Sequence, residues 1–86
     1  MPAGVIGKKL QASNSTIDAI KESVRSYYTS IVPSQAIYLC SLVFTGGGTG
    51  IAIISPNGYS YFDVMTLDYY NGFKKFKYSN GTWTEI

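Results

Sequence analysis

Three Asn-Gly pairs, Asn57-Gly58, Asn71-Gly72 and Asn80-Gly81, fall within 25 residues in the second half of the chain. Both residue types tolerate the positive φ of a type I′ turn, so each pair is a strong local signal for a tight hairpin. The runs between them are rich in Tyr, Ile, Phe and Thr, which suit a pleated surface. With the glycine-rich break at Gly46-Gly47-Gly48-Thr49, these signals predict strands at Ala36–Thr45, Gly50–Ser55, Tyr59–Tyr69, Phe73–Tyr78 and Thr82–Ile86. Residues 33–86 therefore read as a β-meander head.

Alternation inside these runs carries a second message. Tyr38, Cys40, Leu42 and Phe44 share one face of the first strand, and Ile37, Leu39 and Val43 share the other. Ile51 and Ile53 likewise oppose Ala52 and Ile54. Strands apolar on both faces are expected to be covered on both. Tyr59–Tyr69 changes its apolar face between Phe62/Val64 and Met65/Leu67, which suggests a bulge.

Upstream, Ile17, Ile20, Val24, Tyr27 and Ile31 recur at spacings of 3, 4, 3 and 4. That is the a/d pattern of a helical seam, and isoleucine at both a and d favours three or more strands over two. Ser15 as N-cap with Asp18 three residues on reads as a capping box, and Pro33 stops the helix near Val32. Two arrangements fit this stripe: an oligomer seam joining sister helices, or an amphipathic helix packed on its own sheet. The fold class is α+β: one N-terminal helix over residues 15–32, read as a trimeric coiled-coil neck, then an antiparallel β-meander of about five strands. Residues 1–14 are expected to form a flexible N-terminal segment.

Composition narrows the chemistry. At 86 residues the chain is one domain. It has no histidine, and its single thiol, Cys40, sits in an apolar run as a small buried hydrophobe. Nucleophilic catalysis thus lacks its usual base. Asp63 and Asp68 lie five apart in one strand and point to opposite faces, so they form no local carboxylate pair. No run of spaced acids resembles a calcium loop. Gly46–Gly50 lacks the Lys-Ser/Thr of a phosphate loop and is read as a hairpin loop. We expect no catalytic residues, no metal site and no cofactor. The opening residues do not resemble a signal peptide, and no run is long and apolar enough to insert into a membrane. Asn14-Ser15-Thr16 and Asn80-Gly81-Thr82 match the glycosylation pattern by chance.

Two sets of residues remain as binding candidates. Phe73-Lys74-Lys75-Phe76-Lys77-Tyr78 interleaves bases and aromatics as single-strand nucleic-acid binders do. Alternation divides its lysines between both faces, the net charge is only +2, and nucleic acid is the less favoured partner. The other set is Gly47, Gly48, Tyr59, Tyr61, Tyr70 and Trp83: an exposed loop and aromatic rings with polar tips, suited to stacking on sugars or to a protein surface.

An Ile/Val a/d helix, a proline break and a compact Tyr/Gly/Ser/Thr-rich meander together resemble the distal end of bacteriophage tail-fibre and receptor-binding proteins. Phe76-Lys77-Tyr78-Ser79-Asn80-Gly81-Thr82-Trp83 is similar to hairpins near the ends of such fibres. The resemblance implies a homotrimer with a coiled-coil neck and a β head that recognises a cell-surface glycan or protein, located in the virion tail and without enzymatic activity. In that family a particle-attachment region precedes the neck. Here Met1-Pro2 begins just before it, which reads as an excised tip or a separate small protein. The alternative is a small phage-encoded inhibitor or nucleotide sponge acting on a bacterial defence protein in the host cytoplasm.

Overall fold

The computed structural model describes residues 4–6, 8–30 and 37–86. Its elements run β1 (Gly4–Ile6), β2 (Leu10–Ala12), α1 (Ile17–Thr29), β3 (Ile37–Phe44), β4 (Thr49–Pro56), β5 (Tyr61–Asp68), β6 (Gly72–Ser79) and β7 (Thr82–Glu85). Among the described residues the fold is α+β, a single helix on one face of one mixed sheet. From β3 to β7 the strands form an antiparallel meander, each paired with the next. The turns fall where the glycines predict them, and Asn80 and Gly81 both take positive φ.

The N-terminal stretch differs from expectation. Instead of a flexible segment over residues 1–14, β1 and β2 pair in parallel with successive halves of β3. The seven strands therefore occupy six positions, and the sheet is mixed rather than purely antiparallel. Three residues are too few for alternation to be told from chance, even in β2 where Leu10 and Ala12 are buried and Gln11 exposed, and a parallel pairing made across an intervening helix leaves no local sequence signal.

The helix starts one residue later than the capping box implies. Thr16, not Ser15, is the N-cap, and its hydroxyl accepts from Ala19 N at 3.2 Å. Asn14 selects this start, since its Oδ1 accepts from Thr16 N at 2.9 Å. The helix closes at Thr29, short of the expected Val32, with Ser30 as C-cap. Pro33, Ala36 and the last seam residue, Ile31, lie outside the described residues.

Of the two arrangements open for the helical stripe, the described chain adopts the intramolecular one. Ile20 and Val24 are 1% and 0% exposed and join Tyr28, Leu42, Ile54, Phe62, Val64 and Phe76 in one core. Ile17 and Tyr27 pack against its edge. A coiled-coil neck is not shown: Ile20 and Val24, the middle residues of the stripe, close their own chain's core. Ile20 and Val24 each contribute ~1.5–3 kcal/mol by this burial. Tyr28 reaches through the layer and donates its hydroxyl to the Gly58 carbonyl. Burial, first of all, pushes its phenol pKa up, with a smaller push from Tyr38 and an opposing pull from the Gly58 bond.

Candidate functional site

The described geometry divides the aromatic candidates among three places. Gly47, Gly48 and Tyr70 meet at one end of the sheet, where Tyr70 Oη donates to the Gly47 carbonyl at 2.7 Å and the Tyr70 ring stands edge-on to Phe44 at 5.1 Å. Gly48 takes a φ of +100°, and a Cβ there would lie 2.6 Å from that ring, so backbone and close approach both favour glycine. Tyr59 and Tyr61 are exposed at the opposite end, about 26 Å away along eight-residue strands. Trp83 sits on the helix side, edge-on to Phe62 and Phe76, with Lys21 Nζ 5.9 Å from its ring. The six residues do not converge on one ligand site.

The basic strand also divides as alternation requires. Phe76 is buried beneath the helix, with Lys21 Nζ 4.9 Å from its ring, while Phe73, Lys75 and Lys77 face outward. Lys77 is tied to Asp63 at 2.8 Å and Lys74 to Glu85 at 3.7 Å. Among the described residues no group of three His, Cys, Asp or Glu side chains is placed to hold a metal. Asp68 is committed to the β5–β6 turn, where its Oδ1 accepts from Tyr70 N and Asn71 N at 2.8 Å each. Burial pushes the Cys40 thiol up to about 11, which suppresses its thiolate. Among the described residues no helix is long and apolar enough to cross a membrane.

What the structure does assemble is the outer face of the sheet, opposite the helix. Registered pairs place Ser41, Ile51, Leu67 and Phe73 in one row across β3 to β6, and Leu39, Ile53, Met65 and Lys75 in the next. One further row holds Ser55, Asp63 and Lys77, with Ile37 one step beyond the Tyr38–Ile54 pair. On the other side Val43 and Thr49 are paired, and Tyr69 N donates to the Thr49 carbonyl at 3.3 Å. Thr49, Ser55, Asp63 and Lys77 thus flank two largely apolar central rows, with Val43 and Ile37 continuing the apolar surface along β3.

β5 shows why sequence reasoning found only part of this face. There is no bulge, and its pairing with β4 and β6 runs unbroken. Polarity is inverted instead: Thr66 and Asp68 are 1% and 7% exposed on the helix side, while Met65 and Leu67 are 40% and 51% exposed outside. The two-sided apolar pattern of the first two strands was the available signal, and β5 concealed its continuation.

The outer face is not flat. At one end lies a hollow of about 320 Å³ lined by Ile37, Ile53, Ser55, Asp63, Met65 and Lys75. At the other end Tyr69 stands 82% exposed. Comparison with known proteins returns no match to a family model, a curated protein or a solved structure.

Proposed function

We propose that this chain is a non-enzymatic binding module that acts through the outer face of its sheet. The observation that carries the reading is the continuous apolar surface of Leu39, Ile51, Ile53, Met65, Leu67 and Phe73, laid across four strands. Four strands at ~4.8 Å and six residues at ~3.3 Å give a face of about 400 Å² in projection with its flanking rows, of which the two apolar rows make up about 250 Å². Its shape suits a flat macromolecular partner rather than an enclosed small ligand. Four of the five acidic side chains have structural partners: Glu22 holds Arg25, Asp63 holds Lys77, Asp68 holds its turn and Glu85 holds Lys74.

A receptor-binding fibre tip is the narrower form of this reading. Its loops would present Gly47, Tyr69 and Tyr70 to a cell-surface glycan or protein, and its assembly would use the sheet rather than the helix. An inhibitor of a host protein would use the same face.

The test is substitution with charge on that face. Ile51→Lys and Leu67→Lys replace half-exposed side chains and, compared with the parent at a protein concentration low enough that chains do not associate, are expected to leave urea-unfolding stability within ~1 kcal/mol. A loss above ~3 kcal/mol from either would show that the face belongs to the chain's own core, and the reading would fall.

A further inference from the structure

Resting on that reading, we propose that the occupant of the outer face is a second copy of this chain, packed sheet on sheet about a two-fold axis that crosses β4 between Ile51 and Ile53. The argument is that the face matches its own image. A two-fold axis perpendicular to the strands lays each strand over its copy and exchanges the two central rows. Ile51 then meets the partner's Ile53, Leu67 the partner's Met65, and Ser41 the partner's Leu39. Phe73 meets the partner's Lys75, an aromatic ring against an ammonium and its aliphatic stem. The flanking rows exchange too, so that Val43 opposes Ile37 and Thr49 opposes Ser55. Thr49 and Ser55 meet as a polar pair and Val43 and Ile37 as an apolar one, so like meets like at the margins and the apolar rows are enclosed between them.

Shape agrees with chemistry. The same operation brings Tyr69 over Asp63 of the second copy, above the hollow lined by Ile53, Ser55, Met65 and Lys75. Tyr69 is the most exposed of the large apolar and aromatic side chains on the described surface, and within its own chain its ring contact is with Tyr70 at 5.2 Å. In the pair its ring fills the hollow and its hydroxyl is within reach of the Asp63 carboxylate, and each copy supplies one such knob and one such hole. The area suffices. Two faces of about 400 Å² in projection, with accessible area greater than projection because the side chains are rough, reach the ~1,000–1,200 Å² where specific interfaces begin. Sheets packed this way lie ~10 Å apart at about −30°, which keeps the matched rows in contact near the axis.

The experiment is sedimentation equilibrium with native mass spectrometry on the full chain. The parent is expected to be a dimer at micromolar concentration, and Ile51→Lys a folded monomer. Tyr69→Ala, which removes a side chain that the lone chain does not need, should raise the dimer dissociation constant by about tenfold or more, since it empties two seats per pair. Tyr59→Ala, equally exposed but off the face, should leave it unchanged. A parent that stays monomeric at about 100 µM overturns the proposal, as does a trimer, whose three-fold contacts do not match the rows in this way. A dimer indifferent to Tyr69→Ala overturns it also. If the parent is monomeric while Ile51→Lys folds normally, the face stands as a binding surface and only its partner is wrong; if Ile51→Lys unfolds, the binding reading fails first.

Discussion

Replacing Ile20 by alanine asks directly which surface the helical stripe serves. Ile20 is 1% exposed, between the helix and the β-sheet, in contact with a core that includes Leu42, Ile54 and Phe76. Truncating a filled aliphatic site costs ~2–5 kcal/mol, from lost transfer energy and from the cavity left behind. About 3 kcal/mol is the expected loss. For a chain of this length, total stability at ~0.05–0.15 kcal/mol per residue is about 4–13 kcal/mol. With a urea slope of ~1.5 kcal/mol/M, the midpoint should fall by about 2 M. Unfolding can be followed through Trp83, which packs edge-on to Phe62 and Phe76. The measurement is made at about 1 µM and about 50 µM, because a contact between chains gives a mass-action dependence and one within a chain does not. Assembly through the sheet shifts the parent and variant midpoints alike, so their difference is the readout. That difference should be the same at both concentrations. A loss below ~1 kcal/mol, or one that shrinks as protein concentration rises, would show that Ile20 meets a sister helix, and the intramolecular packing would be refuted.

Three further outcomes follow from single side chains. The Cys40 thiol, held at about 11 by burial against an ordinary 9.0, favours the folded state while protonated; that contribution is full below pH 9 and is lost as pH rises through 11. Urea unfolding between pH 8 and pH 11 should therefore show the parent losing up to ~2–3 kcal/mol more than Cys40→Ala, and equal slopes would refute the assignment. Thr66 Oγ1 is buried without a hydrogen-bond partner among the described residues, so Thr66→Val should stabilise by ~0.5–1 kcal/mol, and a loss in thermal unfolding would reveal a partner. A Cβ at Gly50 would stand 2.4 Å from the Leu67 carbonyl; Gly50→Ala should cost ~1–3 kcal/mol of unfolding free energy, and a neutral result would mean that β4 and β5 part more easily than their pairing indicates.

The parts of the fold that were legible are those fixed by neighbours in sequence. Each Asn-Gly pair marks a real chain reversal, and the strands between them end within two residues of their expected limits. A turn is specified by the residues inside it, so its signal survives without tertiary context. β1 and β2 were not legible, because their hydrogen bonds go to a strand made more than 25 residues later. The helical stripe was legible as a stripe but not as a destination. Spacings of 3 and 4 say that Ile20 and Val24 share a side, and a sheet accepts that side as readily as a sister helix. The aromatic candidates failed to converge for a related reason. Residue type identified rings able to stack, but position in the strand decides the outcome: Trp83 and Phe76 turn toward the helix, while Tyr61 and Phe73 turn away.

The inverted polarity of β5 links the fold to its proposed use. Sliding β5 by one residue would carry Met65 and Leu67 to the helix side and send Thr66 and Asp68 into water, an exchange that hydrophobicity alone favours. Two features oppose it. Phe62 and Val64 would leave a core in which Phe62 packs 4.3 Å from Tyr28 and 4.8 Å from Tyr78. Asp68 would also release the backbone N–H groups of Tyr70 and Asn71 that hold the hairpin turn. Burying a large aliphatic side chain is worth ~1.5–3 kcal/mol, and Met65 and Leu67 are already about half covered by their neighbours, so their full burial would add less than the loss of Phe62, Val64 and the turn would remove. The native register therefore leaves an apolar surface that the isolated chain has no means to cover. Its exposure is a consequence of turn chemistry and core packing, and a second copy laid across the same rows would recover part of that burial without disturbing either.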